Sequence, residues 1–135
     1  MDTTAGPISR KCFLLVICIS GLVLLPGCQA TQPEQEIIGV WSNDFSYVRY
    51  SEDGSFSVAS TVAWLDTDPV GWGTYTFDGE LLIFYADEEE YCKGKVGRYE
   101  IVLSEEGEAY YTTVEDSCIA REENMTKLPW HRYSP

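Results

Sequence analysis

Apolar and polar residues alternate along most of the chain after residue 37, as they do in β-strands that bury one face. Three tight turns, each with an acidic residue shortly before a glycine, interrupt this alternation at 51–54, 78–79 and 104–107. Glycine adopts the positive φ angles that hairpin turns need, so each turn is expected to join two strands. The three hairpins predict six strands, within 47–50, 56–59, 73–77, 81–85, 97–103 and 110–114.

Two further strands are predicted at the ends of the alternating region, at 38–41 and 130–133. No long amphipathic helix is indicated, and 61–65 and 119–123 are expected to form single helical turns or loops. An antiparallel meander of about eight strands closes most economically into an up-and-down β-barrel, because closure leaves no exposed edge. We therefore expect an all-β domain whose lumen is either filled by side chains or open to one small ligand.

The first part of the chain has a different pattern. Arg10 and Lys11 precede an apolar stretch of about 14 residues, which is the layout of a secretory signal. As a helix this stretch would be about 21 Å long, too short for the roughly 30 Å hydrocarbon core of a bilayer. It ends in the sequence Leu-Pro-Gly-Cys at 25–28, which resembles the lipobox of bacterial lipoproteins.

The lipobox resemblance implies that the chain is cleaved before Cys28 and that this cysteine then carries acyl chains, palmitate among them, that hold the protein on a membrane. It divides the chain into a signal peptide (1–27), a polar tether (28–36) and a barrel domain (37–135). It also implies a location in the cell envelope, on the extracytoplasmic side. The alternative is a plain signal peptide or N-terminal anchor with an incidental cysteine.

The charge of the chain argues against one class of partner. The sequence contains 9 basic and 22 acidic side chains, and without Asp2, Arg10 and Lys11 of the signal these become 7 and 21, a net charge of −14. Such a surface is repelled by phosphate backbones and anionic lipid headgroups, so nucleic-acid binding is disfavoured. The same charge would keep an anchored domain soluble and away from the membrane surface.

Two cysteines remain once the signal is removed and Cys28 is acylated. In an oxidising compartment, Cys92 and Cys118 are expected to form a disulfide. It would close a loop of about 25 residues and contribute roughly 3.5 kcal/mol in the chain-entropy model. The alternative, a metal site, lacks ligands, because the sequence has no third remaining thiol and His131 is its single histidine.

No set of residues predicts catalysis, a metal ion or a cofactor. The acidic run 87–90 lacks the spaced ligands of a calcium loop, so a solvated loop is the preferred interpretation. His131 is the single candidate for an axial haem ligand, but a histidine on a polar strand face is the commoner case. With one histidine and no nucleophile-elbow sequence, no hydrolase is indicated, and we expect a protein that is not an enzyme.

The segment Ile-Gly-Val-Trp at 38–41, opening such a meander, resembles the Gly-x-Trp start of the lipocalin and wider calycin group. The hairpin at 73–79, the two cysteine segments and the ending at 128–132 also resemble small bacterial lipocalin-like domains that follow lipobox signals. The resemblance implies that Trp41 plugs one barrel end and that Arg132 packs across its indole, a favourable contact of about 0.5–2 kcal/mol. At about 100 residues the domain is much shorter than typical lipocalins.

Aromatic side chains are the candidates for ligand contact. Trp64 and Trp72 flank the loop 66–69 and are expected to line a barrel mouth or a contact patch. Tyr50 and Tyr75 are candidates inside the barrel, where packing in the core is the commoner role. We expect a membrane-anchored barrel that binds a small apolar or aromatic ligand. The alternative is a structural or protein-interaction domain of the envelope with a filled barrel, in contact with an envelope protein.

Overall fold

Eight strands, each paired with the next in the sequence, form the wall of the molecule. The computed structural model describes residues 36–87 and 92–135. The strands are β1 (Gly39–Ser42), β2 (Tyr47–Tyr50), β3 (Ser55–Ala59), β4 (Gly71–Phe77), β5 (Leu81–Ala86), β6 (Val96–Leu103), β7 (Glu108–Asp116) and β8 (Trp130–Arg132). All pairs are antiparallel, and β8 pairs with β1 to close the barrel. The predicted all-β, up-and-down barrel is confirmed.

Two short helices interrupt the strands: a 3-10 helix at Val62–Leu65 and α1 at Ile119–Thr126. The first matches the single helical turn predicted at 61–65. The second differs from the expectation of one turn or a loop, because α1 continues for 8 residues. Its buried residues are only Arg121 and Met125, so its own sequence has little of the apolar stripe that marks a helix. Within the described parts of the chain, no helix has the length and hydropathy needed to cross a bilayer.

The connections divide the barrel into two ends, because alternate connections of an antiparallel meander lie on the same side. The hairpin turns 51–54, 78–80 and 104–107 lie at the end where residues 36–38 enter, and we call it the closed end. The other four connections lie at the opposite end, which we call the mouth: 43–46, 60–70, 117–129, and 87–95, of which residues 87 and 92–95 are described.

Trp41 and Arg132 meet at the closed end. The Trp41 side chain is buried, and the Arg132 guanidinium carbon lies 4.6 Å from the centroid of its ring. Arg132 also donates hydrogen bonds from Nη1 to the Ile38 carbonyl (2.7 Å) and from Nη2 to the Glu36 carbonyl (2.6 Å). Gly39 has φ +127°, and a Cβ there would lie 2.8 Å from Arg132 Nη1. The glycine of the Gly-x-Trp segment therefore makes room for the arginine that holds the entering chain.

A continuous row of aromatic rings crosses the interior of the barrel. Neighbouring ring centroids are 5.0–6.4 Å apart, within the range of favourable offset or edge-to-face contacts. All of these side chains are buried, and in order they are Tyr75, Tyr50, Phe84, Tyr99, Tyr111 and Trp130. Side chains thus occupy much of the lumen.

Candidate functional site

A cavity of about 250 Å³ lies at the mouth of the barrel. Its floor and one wall come from the strands, and α1 forms the facing wall. Most of the side chains that line it are apolar, and the full set is Ser46, Phe56, Val58, Ala59, Ser60, Val70, Phe84, Cys92, Ala120, Arg121, Asn124 and Met125. The cavity therefore depends on how α1 is held against the barrel.

A disulfide holds the start of α1. Cys92 and Cys118 are bonded, their Cα atoms are 5.4 Å apart, and each residue is buried. The predicted disulfide is confirmed. It links two of the mouth connections, 87–95 and 117–129, and Cys118 immediately precedes the first residue of α1.

A buried ion pair holds the first turn of α1. Arg121 donates from Nε to Asp116 Oδ2 (2.6 Å) and from Nη2 to Asp116 Oδ1 (2.9 Å), and the two side chains are 5% and 0% exposed. Arg121 Nη2 also donates to the Lys95 carbonyl at 3.1 Å. The Asp116 carboxylate accepts two further hydrogen bonds, from the Cys118 backbone N–H at 2.7 Å and from the Tyr99 hydroxyl. The pair thus joins β7, α1 and the 87–95 connection.

The surroundings of Asp116 keep it ionised. Burial alone would raise the pKa of this carboxyl, but hydrogen bonds from Arg121, Tyr99 and the Cys118 N–H together lower the pKa below its ordinary value. Burial and the neighbouring carboxylate raise the pKa of the Tyr99 hydroxyl far above its ordinary value, so it stays protonated and donates. The Asp116–Arg121 pair therefore carries one negative and one positive charge at neutral pH, and the two compensate each other.

Gly97 leaves the space that the ion pair occupies. It lies on β6 opposite Asp116 on β7. A Cβ at this position would lie 2.6 Å from Asp116 Oδ2 and 2.8 Å from Arg121 Nε. Because real Cβ atoms do not approach so closely, a side chain here would displace the buried pair.

A second polar cluster ties the β1–β2 connection to α1. Asn43 is buried, and its Nδ2 donates to the Asn124 carbonyl at 2.8 Å. Its Oδ1 accepts from the backbone N–H groups of Ser46 (3.0 Å) and Phe45 (3.2 Å). Ser46 Oγ donates to Asn124 Oδ1 at 2.9 Å, which orients this amide. Asn124 Nδ2 donates to no acceptor among the described residues, and Asn124 lines both this cavity and a neighbouring one beside α1.

The four aromatic residues predicted for ligand contact lie elsewhere. Tyr50 and Tyr75 belong to the interior row: the Tyr50 hydroxyl is 3.3 Å from the Tyr111 hydroxyl, and the Tyr75 hydroxyl donates to the Ser51 carbonyl at 3.0 Å. Trp64 lies in the 3-10 helix at the mouth and is 47% exposed, and Trp72 lies on the outer face of β4 and is 39% exposed. None of the four lines the cavity, and their contact with a ligand stays a prediction.

Other predicted residues lie outside the cavity or outside the described residues. The His131 side chain is half exposed on β8, with Nδ1 3.4 Å from Glu108 Oε1 on the barrel exterior. Cys28, the signal peptide, most of the tether and residues 88–90 of the acidic run lie outside the described residues. In residues 36–87 and 92–135, no group of three or more histidine, cysteine or acidic side chains is placed to hold a metal ion.

Sequence reasoning did not identify the residues that line the cavity. A partial signal is present, since Arg121 and Met125 are four residues apart and share the buried face of α1. Comparison of the sequence with models of known protein families finds no match, and comparison with curated proteins finds none either. Function must therefore be inferred from the chemistry of the mouth, since a barrel fold alone hosts many functions.

Proposed function

We propose that this chain is a lipid-anchored protein of the cell envelope, on the extracytoplasmic side, whose barrel mouth binds a small apolar or aromatic molecule. The observation that carries the proposal is the mainly apolar cavity of about 250 Å³ at the mouth. This volume exceeds that of an apolar cavity of about 150 Å³ known to accept benzene, and it lies below the about 300 Å³ at which typical ligand pockets start. The cavity is thus large enough for a small molecule, which burial of apolar surface would hold.

Two features support the envelope location. The 25–28 segment follows a basic and an apolar region and resembles a lipobox, which would place acyl chains on Cys28. The buried disulfide at the mouth is typical of proteins that fold in an oxidising compartment. Two acyl chains on one sulfur are sufficient for stable membrane attachment.

Mass spectrometry of the protein extracted from membranes with mild detergent tests both parts of the proposal. The mature chain should begin at residue 28 and carry the added mass of acyl groups, and Cys28→Ser should abolish that mass and release the protein from membranes. Native spectra should show a co-purifying small molecule that unfolding releases. A chain that keeps residues 1–27 would refute the anchor, and a chain that is always empty would refute the ligand.

An interaction with an envelope protein is the second candidate, and the rim of the mouth favours it. Four large apolar side chains there are strongly exposed: Phe45 (67%), Trp64 (47%), Val70 (52%) and Ile119 (70%). Exposed apolar patches of this kind often mark contact surfaces. An empty cavity, together with a crosslinked partner that Trp64→Ala abolishes and Val114→Ala on the outer wall preserves, would favour this candidate over ligand binding.

A further inference from the structure

We propose that the mouth cavity selects an uncharged aromatic molecule with a single ring. This inference rests on the proposed ligand-binding function and names the chemical class of the ligand. It is carried by three observations: the volume of the cavity, the rings at its floor and the compensated charge in its wall.

The volume sets the size of the ligand. The cavity has a volume of about 250 Å³. An apolar cavity of roughly 150 Å³ accepts benzene, so this one has room for a benzene ring and a few further atoms. It is smaller than the roughly 300–1,000 Å³ of pockets that hold drug-sized ligands. A single ring with small substituents fits this space, whereas a long-chain lipid does not.

The floor of the cavity favours a ring over an aliphatic chain. Phe56 and Phe84 are buried there, with ring centroids 4.9 Å apart and planes at 67°. A third ring can extend this edge-to-face arrangement, and such pairs contribute about 0.5–1.5 kcal/mol beyond the burial of area. Met125 lines the same cavity, and its thioether is a further favourable neighbour for a ring edge.

The wall of the cavity disfavours a charged ligand. Arg121 is the basic residue of the lining, but both carboxylate oxygens of Asp116 already bind its guanidinium. Because this pair is already compensated, an anionic or a cationic ligand would enter a mainly apolar site without a counter-charge of its own. Burial of an uncompensated charge costs several kcal/mol. The net charge of the chain, −13, adds long-range repulsion of anions.

Asn124 offers one polar contact to such a ligand. Its Nδ2 donates to no described acceptor, and its Oδ1 is held by Ser46. A hydroxyl or carbonyl oxygen on the ring can accept from this amide and orient the ligand. A phenol therefore combines the ring, the neutral charge and the acceptor.

Four probes of similar size separate charge and shape in calorimetric titrations of the mature protein. They are p-cresol (uncharged ring), benzoate (anionic ring), benzylammonium (cationic ring) and octanoate (anionic chain). We expect p-cresol to bind at least about tenfold more tightly than each of the other three, because they bury a charge without a partner.

Variants that fill the cavity test whether the probe binds at the mouth. Val58→Phe should weaken p-cresol binding at least about tenfold, since the new ring would occupy the cavity. Val70→Phe provides a second test that is safer for folding, because Val70 lies at the rim and is 52% exposed. Val102→Phe is the matched control: Val102 is 64% exposed on β6 and does not line the cavity, so binding should be unchanged.

The outcomes separate this inference from the proposed function. If benzoate or octanoate binds as tightly as p-cresol and the filling variants abolish that binding, the ligand class is wrong and the mouth is still a binding site. If no probe binds and the native protein carries no molecule, both proposals fail. Binding of p-cresol that survives both Val58→Phe and Val70→Phe would also overturn the inference.

Discussion

Asp116 and Arg121 meet between the barrel wall and α1, and each compensates the charge of the other. Their side chains are 0% and 5% exposed. Loss of one partner of a buried pair leaves an uncompensated charge and costs about 3–5 kcal/mol, although joint replacement by apolar residues is often neutral. The pair thus contributes more to the position of α1 than to the net stability of the barrel.

Asp116→Asn should lower the free energy of unfolding by about 3 kcal/mol at pH 7, because Arg121 keeps its charge and loses its counter-charge. The pKa of Asp116 in the folded protein lies below its unfolded value. The stability that this shift contributes is therefore present above the unfolded pKa of about 3.9 and is lost as pH falls through the lower folded pKa. Urea unfolding between about pH 7 and pH 2 measures both effects, and the difference between wild type and variant should shrink below about pH 4.

Asp68→Asn provides the control for this prediction, since Asp68 is exposed in the mouth connection 60–70. A surface change of this kind should alter stability by less than about 0.5 kcal/mol. Equal losses in the two variants, or a difference between wild type and Asp116→Asn that does not change below about pH 4, would contradict the role assigned to the buried carboxylate.

At the scale of elements, the strands can be predicted from local sequence patterns, and the length of α1 cannot. The predicted strand 47–50 agrees with β2 residue for residue, and 97–103 lies within β6. Alternation and glycine turns each occur within a short stretch of sequence, so they identify hairpins reliably. The length of α1, in contrast, depends on Cys118, Arg121 and Met125 finding partners on other elements, which no local pattern contains.

The cavity could not be predicted from the sequence for the same reason. Its lining combines side chains from β3, β5, α1 and three connections that are far apart in the chain. Trp64 and Trp72 are large aromatic residues of the kind that often lines ligand sites, but alternation on β4 directs Trp72 outward. The Phe56 and Phe84 rings at the floor lie on the inward face that the alternation of their strands favours.

The disulfide is expected to stabilise the mouth in addition to its contribution to the stability of the whole barrel. Replacement of both Cys92 and Cys118 by alanine should lower the free energy of unfolding by about 3 kcal/mol, since their sequence separation is 26 residues. Hydrogen exchange should accelerate more in α1 and near residue 95 than in β1–β3, because the mouth loses a local constraint in addition to the global loss of stability, whereas the closed end keeps all its contacts. Reductant should reproduce both effects in wild type and leave the double variant unchanged. A uniform rise in exchange over all eight strands would contradict this local role.

At the scale of the whole molecule, the chain enters the barrel at the end opposite to the cavity. Arg132 binds the carbonyls of Glu36 and Ile38 at the closed end. The three hairpin turns there contain the acidic residues Glu52, Asp53, Asp78, Glu80, Glu105 and Glu106. A tether attached at this end would therefore point the acidic turns toward the membrane and the mouth away from it.

The proposed acyl anchor therefore predicts a direction for the mouth. Between Cys28 and Glu36 the tether can extend at most about 28 Å, at roughly 3.5 Å per residue, so the closed end stays within that distance of the anchor. The acidic turns avoid anionic headgroups, which favours a barrel that stands off the surface on its tether. The cavity would then take its ligand from the aqueous side and not from the lipid that holds the anchor.

Energy transfer to a lipid-bound acceptor can test this direction on vesicles that carry the acylated protein. A donor fluorophore on Glu106→Cys, in the closed-end turn 104–107, should transfer more strongly than one on Asp68→Cys, in the mouth connection 60–70. Both positions are exposed and lose one acidic charge, so the two labelled proteins are matched. Cys28→Ser should abolish transfer from both labels, because it removes the anchor. Equal or stronger transfer from the label at 68 would mean that the mouth faces the bilayer, and a ligand would then have to come from the membrane.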